Sequence, residues 1–170
     1  PPRSTLFPYT TLFRSRGATV RSDQGTLRAS IVIGADGCNG VSAKALGLGA
    51  GVAYGIAYEG NVPLDAVGEN SWRSRLLLEF STVPGGYAWL FPKAGHVNVG
   101  VGGWAAEASQ MRRHLALLCG RLGIDASLVE AARGYRLPLR DPRAPVARQR
   151  AVIVGDAAGL VDPMSGDGMF

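Results

Sequence analysis

Two short apolar runs, each ending in glycine and aspartate, constrain the fold of this chain more than any other feature. Residues 31–33 (IVI) lead into GADG at 34–37, and residues 151–154 (AVIV) lead into GDAAG at 155–159. A short apolar run that ends at glycine is typical of a buried strand in an α/β sheet. Ligands of such sheets bind beyond the carboxyl ends of the strands, where glycine allows close approach of the backbone. The pair therefore predicts an α/β domain with a ligand-binding edge.

The aspartates of these junctions indicate what kind of ligand group they recognise. Asp36 and Asp156 carry negative charge, so they do not suit a phosphate, but they accept hydrogen bonds from the hydroxyls of a sugar or ribityl chain. Either junction alone also fits a plain turn or a helix cap. Two of them, flanking a long intervening segment, are far more specific for a ligand site.

The segment between the junctions has a different periodicity. From about residue 53 to residue 101 the apolar residues alternate with period two, which predicts an antiparallel sheet with strands at 55–60, 75–81, 86–91 and 96–101. A hairpin over 18–28 and a short helix over 41–48 precede it. Helices over 105–122 and 126–133, an extended stretch at 135–139 and a basic linker over 140–150 follow.

Composition excludes several classes of protein. Hydrophobic residues make up 46% of the 170, too many for a disordered chain, and no apolar run is long enough to cross a membrane. The net charge of +5 raises the possibility of nucleic-acid binding, yet no basic stripe interleaved with aromatic residues is present, and no nucleic-acid partner is predicted. Of the basic residues all but Lys44 and Lys93 are arginine, which indicates a GC-rich bacterial gene.

The cysteines and histidines do not have the spacing of metal ligands. Cys38 and Cys119 are predicted to be ordinary buried thiols, although one disulfide between them is an alternative. His96 and His114 are predicted to be surface or turn residues and not catalysts. The sequence therefore predicts no metal site, and in the absence of a secretory pattern it predicts a cytoplasmic protein.

The first residues are expected to be foreign to the fold. Residues 5–15 (TLFPYTTLFRS) resemble the conceptual translation of a sequencing adapter at every position, with a short pair of strands as the alternative interpretation. Residues 1–15 are therefore set aside as a non-native segment, which lowers the net charge from +5 to +3. Residues 16–170 are expected to be an internal fragment of a longer protein.

The order of the junctions resembles that of the flavoprotein superfamily of aromatic hydroxylases and geranylgeranyl reductases. GADG at 34–37 looks like its second FAD fingerprint and GDAAGLVDP at 155–163 like its third. The first fingerprint, an N-terminal Gly-x-Gly-x-x-Gly, is not found. Residues 100–105 fit that pattern, but the strand that leads into them alternates like an antiparallel one, and no apolar strand leads into Asp125. The resemblance implies that Asp36 lies near the pyrophosphate, Asp156 binds the ribityl chain and residues 163–168 pass beside the isoalloxazine. The implied cofactor-binding residues are Asp36, Gly37, Gly155, Asp156, Pro163, Gly166 and Gly168.

A second motif is similar to the Tyr-x-Trp-x-Phe-Pro hallmark of geranylgeranyl reductases. It comprises YAWLFPK at 87–93, followed by VNVGVG at 97–102. Period two places Tyr87, Trp89 and Phe91 on one strand face, an aromatic wall that suits a long apolar tail. From spacing alone, an ordinary core face is the favoured interpretation; the resemblance implies substrate binding by all three residues. Gly40, where the family often has Ser, and Asp167, where Glu is common, depart from the family pattern.

The resemblance implies an α/β (α+β overall) fragment: a doubly wound FAD-binding domain with an inserted antiparallel substrate domain. The implied domains are a partial FAD-binding part at 16–52, a substrate-binding sheet with helices at 53–137, and a truncated FAD-binding return segment at 138–170. The implied function is reduction of isoprenoid C=C bonds by flavin hydride transfer. The alternatives are a flavin-dependent monooxygenase or halogenase, or an inactive fragment that binds FAD weakly or not at all.

The remaining expectations concern partners. The implied substrate is a prenyl lipid or a prenylated small molecule, and the reductant, NAD(P)H or a ferredoxin, is left open. Peripheral contact with a membrane is a further expectation. No side chain is singled out as catalytic, because the flavin supplies the difficult chemistry in such enzymes.

Overall fold

The structure is a computed structural model, and it describes residues 12–14, 17–49, 51–67, 70–163 and 165–166. They form two compact units. Unit 1 runs up to Ala53 and resumes at Leu137, and unit 2 comprises Tyr54–Arg136. The assignment of 16–52 and 138–170 to FAD binding, and of 53–137 to substrate binding, stays a prediction.

The described residues form eleven strands and two α-helices, joined by turns and short 3-10 helices. The strands are β1 (Leu12–Arg14), β2 (Gly17–Ser22), β3 (Gly25–Ala29), β4 (Val32–Gly34), β5 (Ala53–Pro63), β6 (Leu77–Phe80), β7 (Tyr87–Pro92), β8 (His96–Trp104), β9 (Glu130–Leu139), β10 (Ala147–Arg148) and β11 (Ala151–Ile153). The helices are α1 (Ser42–Leu46) and α2 (Met111–Arg121), and the 3-10 helices are Leu64–Ala66, Asn70–Arg73, Ala105–Gln110, Ala126–Leu128 and Gly155–Ala158.

Unit 1 contains two small sheets. Strands β1, β2 and β3 form an antiparallel sheet, in which the predicted hairpin over 18–28 corresponds to β2 and β3. The second sheet has the order β10-β11-β4, with β11 antiparallel to β10 and parallel to β4. Its core consists of buried apolar side chains from α1, from β11 and from the segments that follow them, namely Leu46, Leu48, Ala151, Ile153 and Ala158.

The prediction of a fully buried strand at residues 31–33 is wrong. Ile31 and Ile33 are 61% and 64% exposed. Strand β4 is the last strand of its sheet in the described part of the chain, so only β11 pairs with it. The apolar run therefore forms a strand as predicted, but most of its isoleucine surface remains uncovered.

Unit 2 is built on one five-stranded sheet with the order β6-β7-β8-β5-β9. The pairs β6–β7, β7–β8 and β8–β5 are antiparallel, as the period-two pattern predicts. Helix α2 packs on one face of this sheet, where Met111, Leu115 and Leu118 meet Leu90 and Val99 in a buried core. The other face of these strands carries the aromatic residues of the Tyr-x-Trp-x-Phe-Pro motif.

The predicted helices after residue 104 need correction. The first begins as a 3-10 helix over Ala105–Gln110 and becomes α-helical only at Met111. The second, predicted over 126–133, is wrong: a 3-10 helix covers Ala126–Leu128, and strand β9 begins at Glu130. Ala131 has φ of 51°, which is incompatible with a right-handed helix. Hydrogen bonding at the edge of the sheet outweighs the local helix propensity of the Glu-Ala-Ala sequence.

Candidate functional site

Parallel pairing of β4 with β11 brings the two glycine–aspartate junctions together. Val152 lies opposite Ile33 and Ile153 opposite Gly34. Beyond the strands, the Val154 amide donates to the Gly34 carbonyl at 2.9 Å. Both chain segments therefore leave the sheet at the same edge, which is where ligands bind in α/β sheets.

The Asp36 carboxylate is bound by the chain itself. It accepts hydrogen bonds from the backbone amide of Val41 at 2.7 Å, and from the amide of Ser42 at 2.9 Å as well as its hydroxyl. Partial burial raises the pKa of Asp36, but these hydrogen bonds outweigh burial and hold the pKa below its ordinary value. Asp36 therefore acts as a cap at the start of α1, with both carboxylate oxygens already accepting hydrogen bonds.

Two glycines make room for this arrangement. A Cβ on Gly40 would collide with the carboxylate carbon of Asp36. A Cβ on Gly34 would lie 2.6 Å from the Ser42 Cβ and 3.0 Å from Ile153 Cγ2. The presence of Gly40 where the family often has serine thus has a local steric reason, since the Asp36 side chain occupies the space that a Cβ would need.

Asp156 lies in a different setting. It is half-buried in the 3-10 turn Gly155–Ala158, between Gly155 at φ 55° and Gly159 at φ 67°. No residue in the described part of the chain forms a hydrogen bond or ion pair with its carboxylate. Of the two junction aspartates, Asp156 is the one whose carboxylate oxygens can accept from an external hydroxyl.

The other predicted cofactor-binding residues lie in turns. Gly37 has φ of 75°, and its carbonyl accepts from the Gly40 amide at 3.0 Å. Pro163 is exposed and follows Asp162, whose carboxylate accepts from the amide and hydroxyl of Ser165. The Gly166 amide closes this turn on the Asp162 carbonyl at 2.8 Å. Gly168 and Asp167 lie outside the described residues.

A cleft of about 320 Å³ adjoins the first junction within unit 1. Its walls are mainly apolar and come from β2, β4 and α1, with Val20, Ile33, Gly34, Asp36 and Leu46 among them. Sequence reasoning missed the contribution of Val20, because the hairpin carries no motif and only tertiary packing places it beside β4. The cleft therefore begins at the first junction, at the carboxyl end of β4, and continues along one face of the short sheet.

Unit 2 holds the predicted aromatic wall. Tyr87 and Trp89 have ring centroids 5.6 Å apart, and Trp89 and Phe91 have centroids 6.2 Å apart. Their neighbours in the strand, Ala88 and Leu90, point into the core beneath α2. The core beneath α2 therefore lies on the opposite side of β7 from the aromatic rings. Trp89 is nevertheless buried, and the choice between an ordinary core face and a substrate-binding wall stays a prediction. We call the side that carries the aromatic rings the open face.

Two residues of the edge strand extend the wall. Leu78 pairs with Trp89 and Phe80 pairs with Tyr87, so both lie on the open face, where they are 46% and 58% exposed. The Phe80 and Tyr87 rings are 6.1 Å apart. Sequence reasoning did not name Leu78 or Phe80, although the alternation within the predicted strand 75–81 carries the signal.

Trp89 is the most constrained residue of the wall. Its indole N–H donates to Asn98 Oδ1 at 2.8 Å, and Asn98 Nδ2 donates to Asn61 Oδ1 at 3.1 Å. The indole lies on Gly100, where a Cβ would collide with it, and only 7% of Trp89 is exposed. Trp89 therefore forms the floor of the open face, and Tyr87, Phe91, Leu78 and Phe80 present more surface.

The two histidines and two cysteines are the remaining titratable residues that the sequence singled out. His114 lies within 3.1 Å of Glu107 through Nε2, and His96 is half-buried at the start of β8. Cys38 and Cys119 are free thiols, and burial raises the pKa of Cys119. Within the described ranges, no three His, Cys, Asp or Glu side chains are grouped so that they could hold a metal ion.

Two proteins of similar sequence have names that identify them as prenyl reductases. Geranylgeranyl diphosphate reductase of Synechocystis sp. is 30% identical over 169 residues, which are 96% of this chain and 41% of that protein. Digeranylgeranylglycerophospholipid reductase 3 of Methanosphaera stadtmanae is 31% identical over 156 residues, 84% of this chain and 37% of that protein. The resemblance to geranylgeranyl reductases is confirmed. The chain spans about two fifths of the length of these relatives, and no family model matches it.

Solved structures share the fold. A geranylgeranyl bacteriochlorophyll reductase-like protein of Thermoplasma acidophilum superposes with a TM-score of 0.69 at 21% identity, over 93% of this chain and 43% of that one. HpxO of Klebsiella pneumoniae, solved with FAD and uric acid, superposes with a TM-score of 0.62 at 19% identity, over 94% of this chain and 44% of that one. The predicted fold class is confirmed. Among the described residues, no helix is long and apolar enough to span a membrane.

Proposed function

We propose that this chain supplies the FAD-binding edge and the prenyl-binding face of an oxidoreductase that reduces isoprenoid C=C bonds. The observation that carries the proposal is the hydrogen-bonded juxtaposition of the two junctions, Val154 to Gly34 at 2.9 Å. The two strands therefore end side by side, with the glycine backbone of the junctions and the available Asp156 carboxylate at the same end. FAD requires both features, because its phosphates need close approach of the backbone and its ribityl hydroxyls need an acceptor.

The residues present fit FAD unevenly. Asp156 offers two acceptor oxygens for ribityl hydroxyls, and the positive φ of Gly155 lets the backbone turn directly beneath a ligand. Asp36 fits less directly, because its oxygens cap α1; its proposed role is to hold the backbone of residues 37–42 in place. When bound and reduced, FAD would supply the hydride that such a reduction needs.

The open face is the proposed site for the prenyl chain. Four side chains from β6 and β7 give an apolar surface that is one wall of a binding site, and Trp89 is fixed beneath them. Apolar contact along such a wall favours a long, flexible isoprenoid over a compact polar substrate. A peripheral membrane contact and a cytoplasmic location stay predictions, and the reductant, NAD(P)H or a ferredoxin, stays open.

Replacement of Asp156 tests the proposed cofactor site. The Asp156→Asn variant keeps the shape of the side chain but loses its charge and one acceptor oxygen, so we expect about tenfold weaker binding of FAD. Quenching of flavin fluorescence during titration measures this. Binding by the unaltered chain is expected to be weak, because the first nucleotide fingerprint is not found in its sequence.

Asp23→Asn is the matched control, since Asp23 is exposed in the turn between β2 and β3. Equal weakening of FAD binding by both variants would contradict the assignment of Asp156 to the cofactor site. Incubation with reduced FAD and a prenyl alcohol, with and without oxygen, then distinguishes the chemistries. Gain of two hydrogens without oxygen is the expected outcome, whereas an oxygen-dependent hydroxylated product would identify a monooxygenase.

A further inference from the structure

The Trp89 indole lies lengthwise along strand β8. The strand registers form rows across the sheet, one containing Leu78, Trp89, Gly100 and Glu59 and the next containing Phe91, Asn98 and Asn61. A Cβ on Gly100 would collide with the six-membered ring of the indole, and a Cβ on Gly102 would lie 3.4 Å from its Cζ3. The indole nitrogen points the other way along the strand, toward Asn98. The ring system therefore covers β8 between the row of Asn98 and the position of Gly102.

Asn98 holds the ring through a hydrogen bond whose direction is determined. An indole N–H only donates, so the Asn98 atom that faces it at 2.8 Å must be the oxygen, Oδ1. The amide nitrogen of Asn98 is thereby turned toward Asn61, whose Oδ1 accepts from it at 3.1 Å. Trp89, Asn98 and Asn61 thus form a chain of hydrogen bonds across β7, β8 and β5.

The surroundings of the ring make this hydrogen bond decisive for its orientation. Only 7% of Trp89 is exposed, and its indole lies between Tyr87 and Phe91, the latter within 24° of parallel. A buried N–H that loses its acceptor is costly, so the indole keeps its orientation as long as Asn98 accepts from it. A side chain that is ordered before a ligand arrives adds contact without a further loss of conformational freedom on binding.

We propose that Asn98 is a positioning residue of the prenyl site, which acts through Trp89 by fixing the floor of the open face before a prenyl chain binds. This proposal rests on the function proposed above, because it takes the open face as the prenyl site. It assigns Gly100 and Gly102 to the ring, so that the prenyl chain lies on the aromatic surface and not in the space above these glycines.

The experiment measures binding of farnesol, an uncharged prenyl alcohol, through the emission of Trp89 in a chain with Trp72→Phe and Trp104→Phe. Asn98→Leu removes the acceptor and keeps a side chain of similar size. We expect it to shift the Trp89 emission of the free protein to longer wavelength and to weaken farnesol binding about tenfold.

Asn98→Asp is the conservative variant that should restore both properties. Aspartate keeps an acceptor for the indole N–H, and Asn61 can turn its amide to donate to the second carboxylate oxygen. We expect the emission to return to that of the unaltered chain and the farnesol affinity to return to within about twofold. Asn61→Leu removes only the outer hydrogen bond of the chain, so it should weaken binding less than Asn98→Leu, by about threefold.

Gln110→Leu is the matched control, because it also replaces an amide by leucine, at an exposed position just before α2. It should change neither the emission nor the affinity. Unchanged farnesol binding by Asn98→Leu, or failure of Asn98→Asp to restore it, overturns the positioning role and leaves the prenyl site standing. If circular dichroism shows that Asn98→Leu is unfolded, unchanged binding by Asn61→Leu overturns the role instead. Absence of farnesol binding by the unaltered chain overturns the prenyl site together with this proposal.

Discussion

Gly40 and Asp36 form a mutually dependent pair in the first junction. The Asp36 carboxylate fills the space above Gly40 and accepts from the amides of Val41 and Ser42 at the start of α1. A cap of this kind satisfies backbone donors that a helix otherwise leaves unpaired. The glycine is therefore required by its contact with the cap and not by its backbone conformation.

A methyl group on Gly40 should break this cap. We expect Gly40→Ala to lower the free energy of unfolding by about 1–3 kcal/mol, since the Cβ must displace the Asp36 carboxylate or shift the turn. Urea denaturation measures the change. Gly120→Ala is the matched control: Gly120 lies in α2 with no atom within 4 Å of its Cβ position, so alanine there should stabilise by about 0.5–1 kcal/mol. Effects of the same sign at both positions would contradict the steric argument.

Asp156 shows why equivalent sequence positions need not have equivalent roles. Both aspartates follow a strand and a glycine, and the sequence predicts cofactor contact for each. The difference arises because Asp36 precedes a helix whose first amides turn back onto it, whereas Asp156 lies within a 3-10 turn and has no such donor among the described residues. Only the geometry of the following segment decides which carboxylate remains available.

Strand β8 depends on glycine where it passes beneath the aromatic wall. Gly100 provides the flat surface on which the Trp89 indole rests, and Asn98 fixes the indole N–H. Small residues opposite large ones allow close packing on a sheet face. The glycines at 100–105 that imitate a nucleotide-binding pattern are thus explained by packing within an antiparallel sheet.

Filling this surface should displace the indole. We expect Gly100→Ala to cost about 1–3 kcal/mol in the free energy of unfolding and to shift the Trp89 emission to longer wavelength, because the ring must move toward solvent. Fluorescence in the chain with Trp72→Phe and Trp104→Phe reports on Trp89 alone. Gly134→Ala is the strand control, since its Cβ would meet neighbours only at 3.9 Å. An unshifted Trp89 spectrum in the Gly100 variant would refute the role given to this glycine.

Strand β9 illustrates the opposite case, in which a local pattern misleads. The run from Ala126 to Arg133 contains good helix formers, yet the chain is extended from Glu130 onward. Position at the edge of the unit 2 sheet supplies hydrogen bonds that the isolated sequence does not reveal. Propensity is a weak guide where pairing with a distant strand is available.

The two units differ in the size of their cores. Unit 2 has thirteen buried residues in one described cluster, whereas the cluster in unit 1 has five. Because burial of apolar surface is the main stabilising contribution, local opening of unit 1 should cost less free energy than opening of unit 2.

Amide hydrogen exchange tests this difference directly. We expect peptides from β7 and β8 to be the most protected, and those from β4 and β11 to exchange at least about tenfold faster under native conditions. Peptides from β7, β8 and α2 together serve as the internal reference, against which the exchange of peptides from unit 1 is compared. Equal protection in the two units would show that core size does not govern their stability, and FAD should raise the protection of unit 1 if Asp156 binds it.

The sequence by itself determined the type of fold, the strands on either side of the two junctions and the sharing of one face by Tyr87, Trp89 and Phe91. The strands and the shared face follow from local patterns, namely the periodicity of apolar residues and glycine at strand ends. The type of fold follows from these patterns together with the resemblance to geranylgeranyl reductases. Tertiary structure decided which aspartate remains available, that Trp89 is a buried floor, and that Leu78, Phe80 and Glu59 share its face. These features depend on strand register and helix capping between residues distant in the chain, which no local pattern encodes.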